Sequence, residues 1–253
     1  MSPVVGSGVC TSTHICLPFE TNDEKHDATV TFFHEGLSRG ARCIFTGTSE
    51  DFDLLGRGLE AVGICTRRAM ARGSLQIRGL EELYFLDDGR FDPPRSLDLV
   101  DSLIDDAVVD GFTSLRLSAE LTRIPAQDEW RKIVWYDAMI NERFARRPVA
   151  HMCRYPRSLI PAERVRDLLR THPVAMVRGE ACDNPFYERP DIVLSESDDS
   201  QTRLDWQLRQ LRVHQRARQH LEEMRVSAVA AAAQLAVELQ HLRSGLEKPG
   251  KHE

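Results

Sequence analysis

Short apolar runs alternate with longer stretches in which apolar residues recur every three or four positions, and the alternation persists from residue 14 to about residue 179. HICLPF (14–19) is a continuous apolar run of strand length, as expected of a strand covered on both faces. In residues 21–40, Val30, Phe33 and Leu37 share one helical face, with Thr21 or Asn22 as N-cap and Gly40 as the stop. The same pairing then repeats. ARCIFTGT (41–48) predicts a strand, and SEDFDLLGRGLEAVG (49–63) a helix capped by Ser49 and closed by Gly63. SLQIRG (74–79) is a third, shorter strand, and the DDGRFDPP loop (87–94) leads to helical spacing at Leu97, Val100, Leu103, Ile104 and Val108. Strands at 113–120, 148–156 and 173–179 are separated by helical stretches at 126–147 and 161–172, the latter with Pro161 in its first turn. Strands alternating with helices predict a mainly parallel sheet covered on both sides, and right-handed crossovers make it a doubly wound α/β fold.

The pattern changes near residue 190. RPDIVLSESDDSQ (189–201) is a polar linker, and residues 201–246 then contain no proline and one late glycine, Gly245. Leu204, Leu208, Leu211, Leu221, Met224, Ala228, Leu235, Leu239 and Leu242 follow at mixed three- and four-residue steps. A helix over this span is ~70 Å long at about 1.5 Å per residue, which suits a second helix better than one small domain. The organisation expected is a tail (1–12), an α/β domain (13–190), a linker (191–200), a long helix with coiled-coil character (201–246) and a flexible end (247–253).

Composition narrows the classes. A formal charge of −6 offers no electrostatic footprint for duplex DNA or an anionic membrane. No apolar run approaches the roughly 20 residues of a membrane span, and the first residues do not form a secretory signal. Six cysteines without a C-x-x-C pair point to reduced thiols. The expected location is the cytoplasm.

A doubly wound sheet binds ligands beyond the carboxyl ends of its strands. The first such loop, ETNDEKH (20–26), contains no glycine, so it is not a phosphate-cradling P-loop, and the chain holds no G-x-G-x-x-G or G-x-S-x-G. TGTSED (46–51) has one glycine and two threonines ahead of a helix start, which serves a small anion or ordinary capping equally well. Glu120 ends a strand and faces the crevice; a carboxylate there acts as a general base, or simply bonds backbone donors or an arginine. Strand ends converge on a small-molecule pocket lined by Glu20, Thr46, Thr48, Glu120 and Tyr155, with Asn184 and Tyr187 at its rim and Phe19 and Leu121 as apolar walls. With no activated nucleophile and no recognisable cofactor motif, binding is expected rather than catalysis. The alternatives are an enzyme working around Glu120 and an adaptor that binds no ligand.

HICLPFE (14–20), GFTSLRLSAELT (111–122), VAHMCRYPR (149–157), LLRTHPVAMVRG (168–179) and NPFYERP (184–190) together resemble the MEDS domain, the methanogen/methylotroph DcmR-type sensory domain, over roughly residues 13–190. The resemblance implies a RecA/KaiC-like fold without its nucleotide loop, acting as a sensory module for small organic molecules. On the matching positions it singles out Glu120, Tyr155 and the segment from Asn184 to Tyr187 as pocket residues. Such modules are joined to kinase, PAS or DNA-binding parts, none of which is recognisable after residue 190. Output is therefore expected to pass through the long helix to a second copy of the chain or a partner protein.

The RecA-like strand order implied by the resemblance sets residues 14–19 beside 149–154. Two His-x-Cys stretches then become neighbours, and His14, Cys16, His151 and Cys153 are the ligand set of a tetrahedral zinc site. Against it, i,i+2 ligands on flat strands splay apart, and buried cysteine is a common small hydrophobe. The two stretches are read as core strands, with no metal assigned.

Overall fold

The structure, a computed structural model, describes residues 12–86, 89–120, 127–195 and 200–246. Most of the expected N-terminal tail, Leu121, residues 87–88 of the DDGRFDPP loop, residues 196–199 of the linker and the last seven residues lie outside the described residues. The chain divides into two compact units, residues 1–197 and 198–253.

In the first unit, β1 (Thr13–Phe19) is followed by α1 (Asn22–Ser38), β2 (Arg42–Thr46), α2 (Ser49–Ala61), α3 (Thr66–Ala71), β3 (Leu75–Arg78) and α4 (Leu80–Tyr84). Then come α5 (Pro93–Val109), β4 (Leu115–Glu120), α6 (Gln127–Arg143), β5 (Val149–Pro156), α7 (Ala162–Thr171), β6 (Val174–Val177), β7 (Glu180–Asp183) and α8 (Pro190–Val193). The seven strands run in the order β3-β2-β4-β5-β1-β6-β7, all parallel except β7. This is the predicted doubly wound, mainly parallel sheet, with the expected neighbours β1 and β5 at its middle.

Strand alternation decides which helices cover which face. Ile15, Leu17 and Phe19 of β1 join Cys43 and Phe45 of β2 and Met152 of β5 in a core with Phe32 and Phe33 of α1 and Leu55 and Leu59 of α2. On the opposite face, Ile44, Leu115 and Leu117 pack with Leu97, Val100 and Ile104 of α5 and Tyr136, Ile140 and Phe144 of α6. Cys16, Cys153 and Tyr155 form a third cluster on that side with Trp130 of α6 and Leu168 of α7.

Helix starts follow their caps. Thr21 accepts from the Glu24 amide at α1, and Asp92 from the Arg95 amide at α5, whose first positions are prolines. At α2 the cap is Thr48, one residue before the expected Ser49, because Thr48 and Asp51 bond each other's backbone amides in a capping box. Several short elements escape the sequence pattern: α3, α4, β7 and α8, each of six residues or fewer. β7 is made possible by Arg178 and Gly179, with φ of 50° and 80°, the two left-handed residues of a tight hairpin turn.

The second unit is α9 (Ser200–Leu246), a single 47-residue helix. Leu204, Leu208, Leu211, Leu221, Met224, Leu235 and Leu239 are exposed along it.

Candidate functional site

A cavity of about 90 Å³ opens at the carboxyl ends of β4 and β5, between α4 and α6. By the measure in which a water requires roughly 10–15 Å³, it admits several waters or one small organic molecule. Its walls are mainly apolar and aromatic: Leu80, Tyr84, Phe85, Phe91, Ile133 and Tyr136. Tyr136 meets Tyr84 and Phe91 edge to face, with centroids 5.9 and 5.5 Å apart, so three rings brace one another as one wall. Polar groups are contributed by Glu120, Glu129, Asp137 and Tyr155. The Tyr155 hydroxyl donates to Asp137 Oδ2 at 3.1 Å. Burial pushes the Asp137 carboxyl up to about 8, against the opposing pull of its hydrogen bonds.

Glu120 sits where the cavity meets a buried charge network on the α1 side of the sheet. Its Oε2 lies 3.3 Å from Lys25 Nζ and 3.6 Å from an Arg154 nitrogen. Lys25 also pairs with Asp51 at 3.0 Å. Arg154, 1% exposed, donates to the Thr46 carbonyl and stacks on Phe45 with its guanidinium 4.6 Å from the ring centroid. Burial lowers the Arg154 pKa, with Glu120 and Asp51 opposing. Burial alone would raise Asp51, but hydrogen bonds from Lys25 and Thr48 outweigh it and hold the carboxyl below its ordinary range. Two cations and two carboxylates thus balance. Lys25 belongs to the glycine-free first loop and helix start, yet the sequence reading assigned it no role.

Of the seven expected pocket residues, Glu120 and Tyr155 line this cavity. The other five are placed elsewhere, four of them by a competing bond. Glu20 is exposed and pairs with Arg157 in a separate hollow of about 560 Å³ at the ends of β1 and β6. Thr46 is fully buried and donates to the Ser118 carbonyl at 3.2 Å. Thr48 is committed to capping α2. Asn184 donates to the carbonyls of Leu169 and His172 at 2.6 and 2.7 Å, tying its loop to the end of α7. Tyr187 is half-buried and lies outside the cavity's lining. Phe19 is no pocket wall either; it packs in the α1-side core. The helix-borne residues Tyr84, Ile133, Tyr136 and Asp137 were missed. Their available signal was an aspartate on the face of α6 that carries Ile133 and Ile140.

β1 and β5 pair with His14 opposite His151 and Cys16 opposite Cys153, so the two His-x-Cys stretches do lie side by side. They do not form one ligand set. His151 Nε2 lies 3.2 Å from the Tyr84 hydroxyl, and Cys16 packs in the third apolar cluster. Instead, His14 and Cys153 meet Asp137 of α6 and His172 just after α7, with one ligand atom from each within 4.8 Å of all the others.

Residues 13–173 match the family model described as MEDS, the methanogen/methylotroph DcmR sensory domain. Among solved structures, the chain is similar to the flagellar accessory protein FlaH from Methanocaldococcus jannaschii, at 9% identity and a TM-score of 0.41, covering 70% of this chain and 77% of that one. Comparison with curated proteins finds no match.

Proposed function

Because this chain belongs to the MEDS family of sensory domains, we propose that it is a cytoplasmic sensory protein that binds a small organic ligand in the β4–β5 cavity and regulates a partner through its C-terminal helix. The observation that carries the reading is the cavity itself: aromatic and aliphatic walls with a few polar groups among them. Such a lining favours a compact, mostly apolar molecule with one hydrogen-bonding group. A regulatory role rather than catalysis is supported by Glu120, whose carboxylate is engaged by Lys25 and Arg154 instead of standing ready to take a substrate proton. Among the described residues no helix is long and apolar enough to cross a membrane, which is compatible with the proposed location. The exposed leucines of α9 support a second copy of the chain as its first partner.

Native mass spectrometry of the purified protein, followed by calorimetric titration with the retained molecule, tests the ligand site. Ala119→Leu fills the cavity from the end of β4 without removing a polar partner. Binding is expected to disappear in that variant, and unchanged affinity would place the ligand elsewhere. Light scattering with and without residues 200–253 tests the helix, and the same oligomer in both would refute its role.

A further inference from the structure

We propose that His14, Cys153, His172 and Asp137 form a binding site for a divalent cation of the zinc class. All four are buried, and their ligand atoms lie within 4.8 Å of one another. The site is independent of the small-molecule reading above, although Asp137 and Cys153 also face that cavity.

The four ligands come from four separate places in the fold: β1, β5, α6 and the residue after α7. The usual objection to ligands on flat strands, that i and i+2 side chains diverge, therefore does not apply. A tetrahedral zinc with bonds of about 2.0–2.3 Å holds its ligand atoms roughly 3.3–3.8 Å apart. His14 Nε2 and Cys153 Sγ are already 3.4 Å apart, and no two of the four ligand atoms are separated by more than 4.8 Å.

Hydrogen bonds settle which nitrogens are available. The Asn141 amide group donates to the carbonyls of Asp137 and Thr171 at 3.0 and 2.6 Å, which fixes its oxygen toward His14. That oxygen lies 3.2 Å from His14 Nδ1, so Nδ1 carries the proton and Nε2 presents a lone pair. His172 repeats the arrangement: Nδ1 lies 2.7 Å from the Leu168 carbonyl, which requires a proton on Nδ1 and leaves a lone pair on Nε2. The Cys153 thiol can donate to only one of these nitrogens, and His14 is the one in reach. His172 Nε2 is fully buried without a hydrogen-bond partner. An orphaned acceptor there costs about 1–3 kcal/mol. A cation supplies what is missing.

Outer partners orient the ligands as in known metal centres: Asn141 holds His14, the Leu168 carbonyl holds His172, and the Tyr155 hydroxyl holds Asp137. Charge also closes. On binding, Cys153 loses its proton and Asp137 is a carboxylate, so two negative ligands neutralise the dication inside an apolar layer.

The test uses the full chain, stripped with a chelator and titrated with cobalt(II), then with zinc(II). One equivalent of cobalt should bind, with a thiolate-to-cobalt charge-transfer band and the visible bands of a tetrahedral ion, and zinc should bleach both. Cys153→Ser should abolish the charge-transfer band, while Cys16→Ser and His151→Gln leave it intact. Asn141→Ala, which leaves all four ligands in place, should weaken zinc binding by about 10–100-fold. Circular dichroism of each metal-free variant checks that it folds. If Cys153→Ser does not fold, X-ray absorption of the zinc-loaded native chain decides, with one sulfur and two imidazoles expected. No charge-transfer band in the native chain, a band that survives Cys153→Ser, or a ligand set without sulfur overturns the proposal.

Discussion

Replacing Lys25 with methionine removes the cation that stands between two carboxylates. Lys25 Nζ is 3.0 Å from Asp51 and 3.3 Å from Glu120, with the lysine and Glu120 side chains only 11% and 12% exposed. Direct attraction at these distances is several kcal/mol even at an effective dielectric of about 20. Desolvation of the ions offsets much of it, so what Lys25→Met exposes is the cost of stranding buried negative charge, about 3–5 kcal/mol for a fully buried pair. Asp51 keeps 25% of its side-chain surface, and Arg154 remains 3.6 Å from Glu120, so both soften the loss. The expected destabilisation is roughly 2–4 kcal/mol. Glu120→Gln should cost less, because Lys25 keeps Asp51. The double variant should be more stable than the sum of the two losses predicts, with a coupling of about 0.5–3 kcal/mol. Urea unfolding, followed by both tryptophan fluorescence and circular dichroism, measures this from midpoints at a common slope. Strictly additive losses would show that the network is held by its surroundings and not by charge pairing. The pH dependence adds a sign. Asp51 is depressed in the folded state, so its contribution is complete above its unfolded pKa and disappears as pH falls through the folded value. Lys25→Met should flatten that acid limb.

Glycine contacts give a paired prediction. A Cβ on Gly36 would meet Arg116 Cδ at 2.5 Å and Cys43 Sγ at 2.9 Å, so Gly36→Ala should destabilise by about 1–3 kcal/mol. A Cβ on Gly56 meets nothing within 4 Å, and Gly56→Ala in α2 should stabilise by about 0.5–1 kcal/mol; thermal unfolding separates the two signs. Alkylation should label Cys65 and Cys182 rapidly and spare Cys16, Cys43 and Cys153 until denaturant is added, since burial hides the thiols and pushes Cys43 up to about 12. Peptide mapping by mass spectrometry reads that pattern directly.

The sheet was legible because each of its parallel strands is a short apolar run flanked by turn residues, and because α1, α2, α5 and α6 are long enough for periodicity to register. α3, α4, β7 and α8 are too short for any period to show, and the φ values of Arg178 and Gly179 that create β7 are a local backbone property. Glu120 and Tyr155 were expected at one mouth because strand ends converge, and both line the cavity. Thr48, Asn184 and Glu20 looked alike by that criterion, but capping, carbonyl bonding and a surface ion pair claimed them. His172 and Asp137 were invisible for a different reason. Their partnership with His14 and Cys153 depends on how α6 and α7 lie across the sheet, and no spacing in the chain encodes that.

The position of β1 also sets a timetable for the nascent chain. Among the described strands it is the first to be made, yet its neighbours in the sheet are β5 and β6, and His14 is separated from Cys153 by 139 residues. At synthesis rates of about 5–20 residues per second, roughly 7–28 s pass between their appearances. β2, β3 and β4 can pair among themselves well before then. Ile15, Leu17 and Phe19 cannot yet be buried between two strands, so the growing polypeptide carries an unpaired apolar edge for most of its elongation. The sheet is completed from within, by insertion of its oldest strand between two of its youngest.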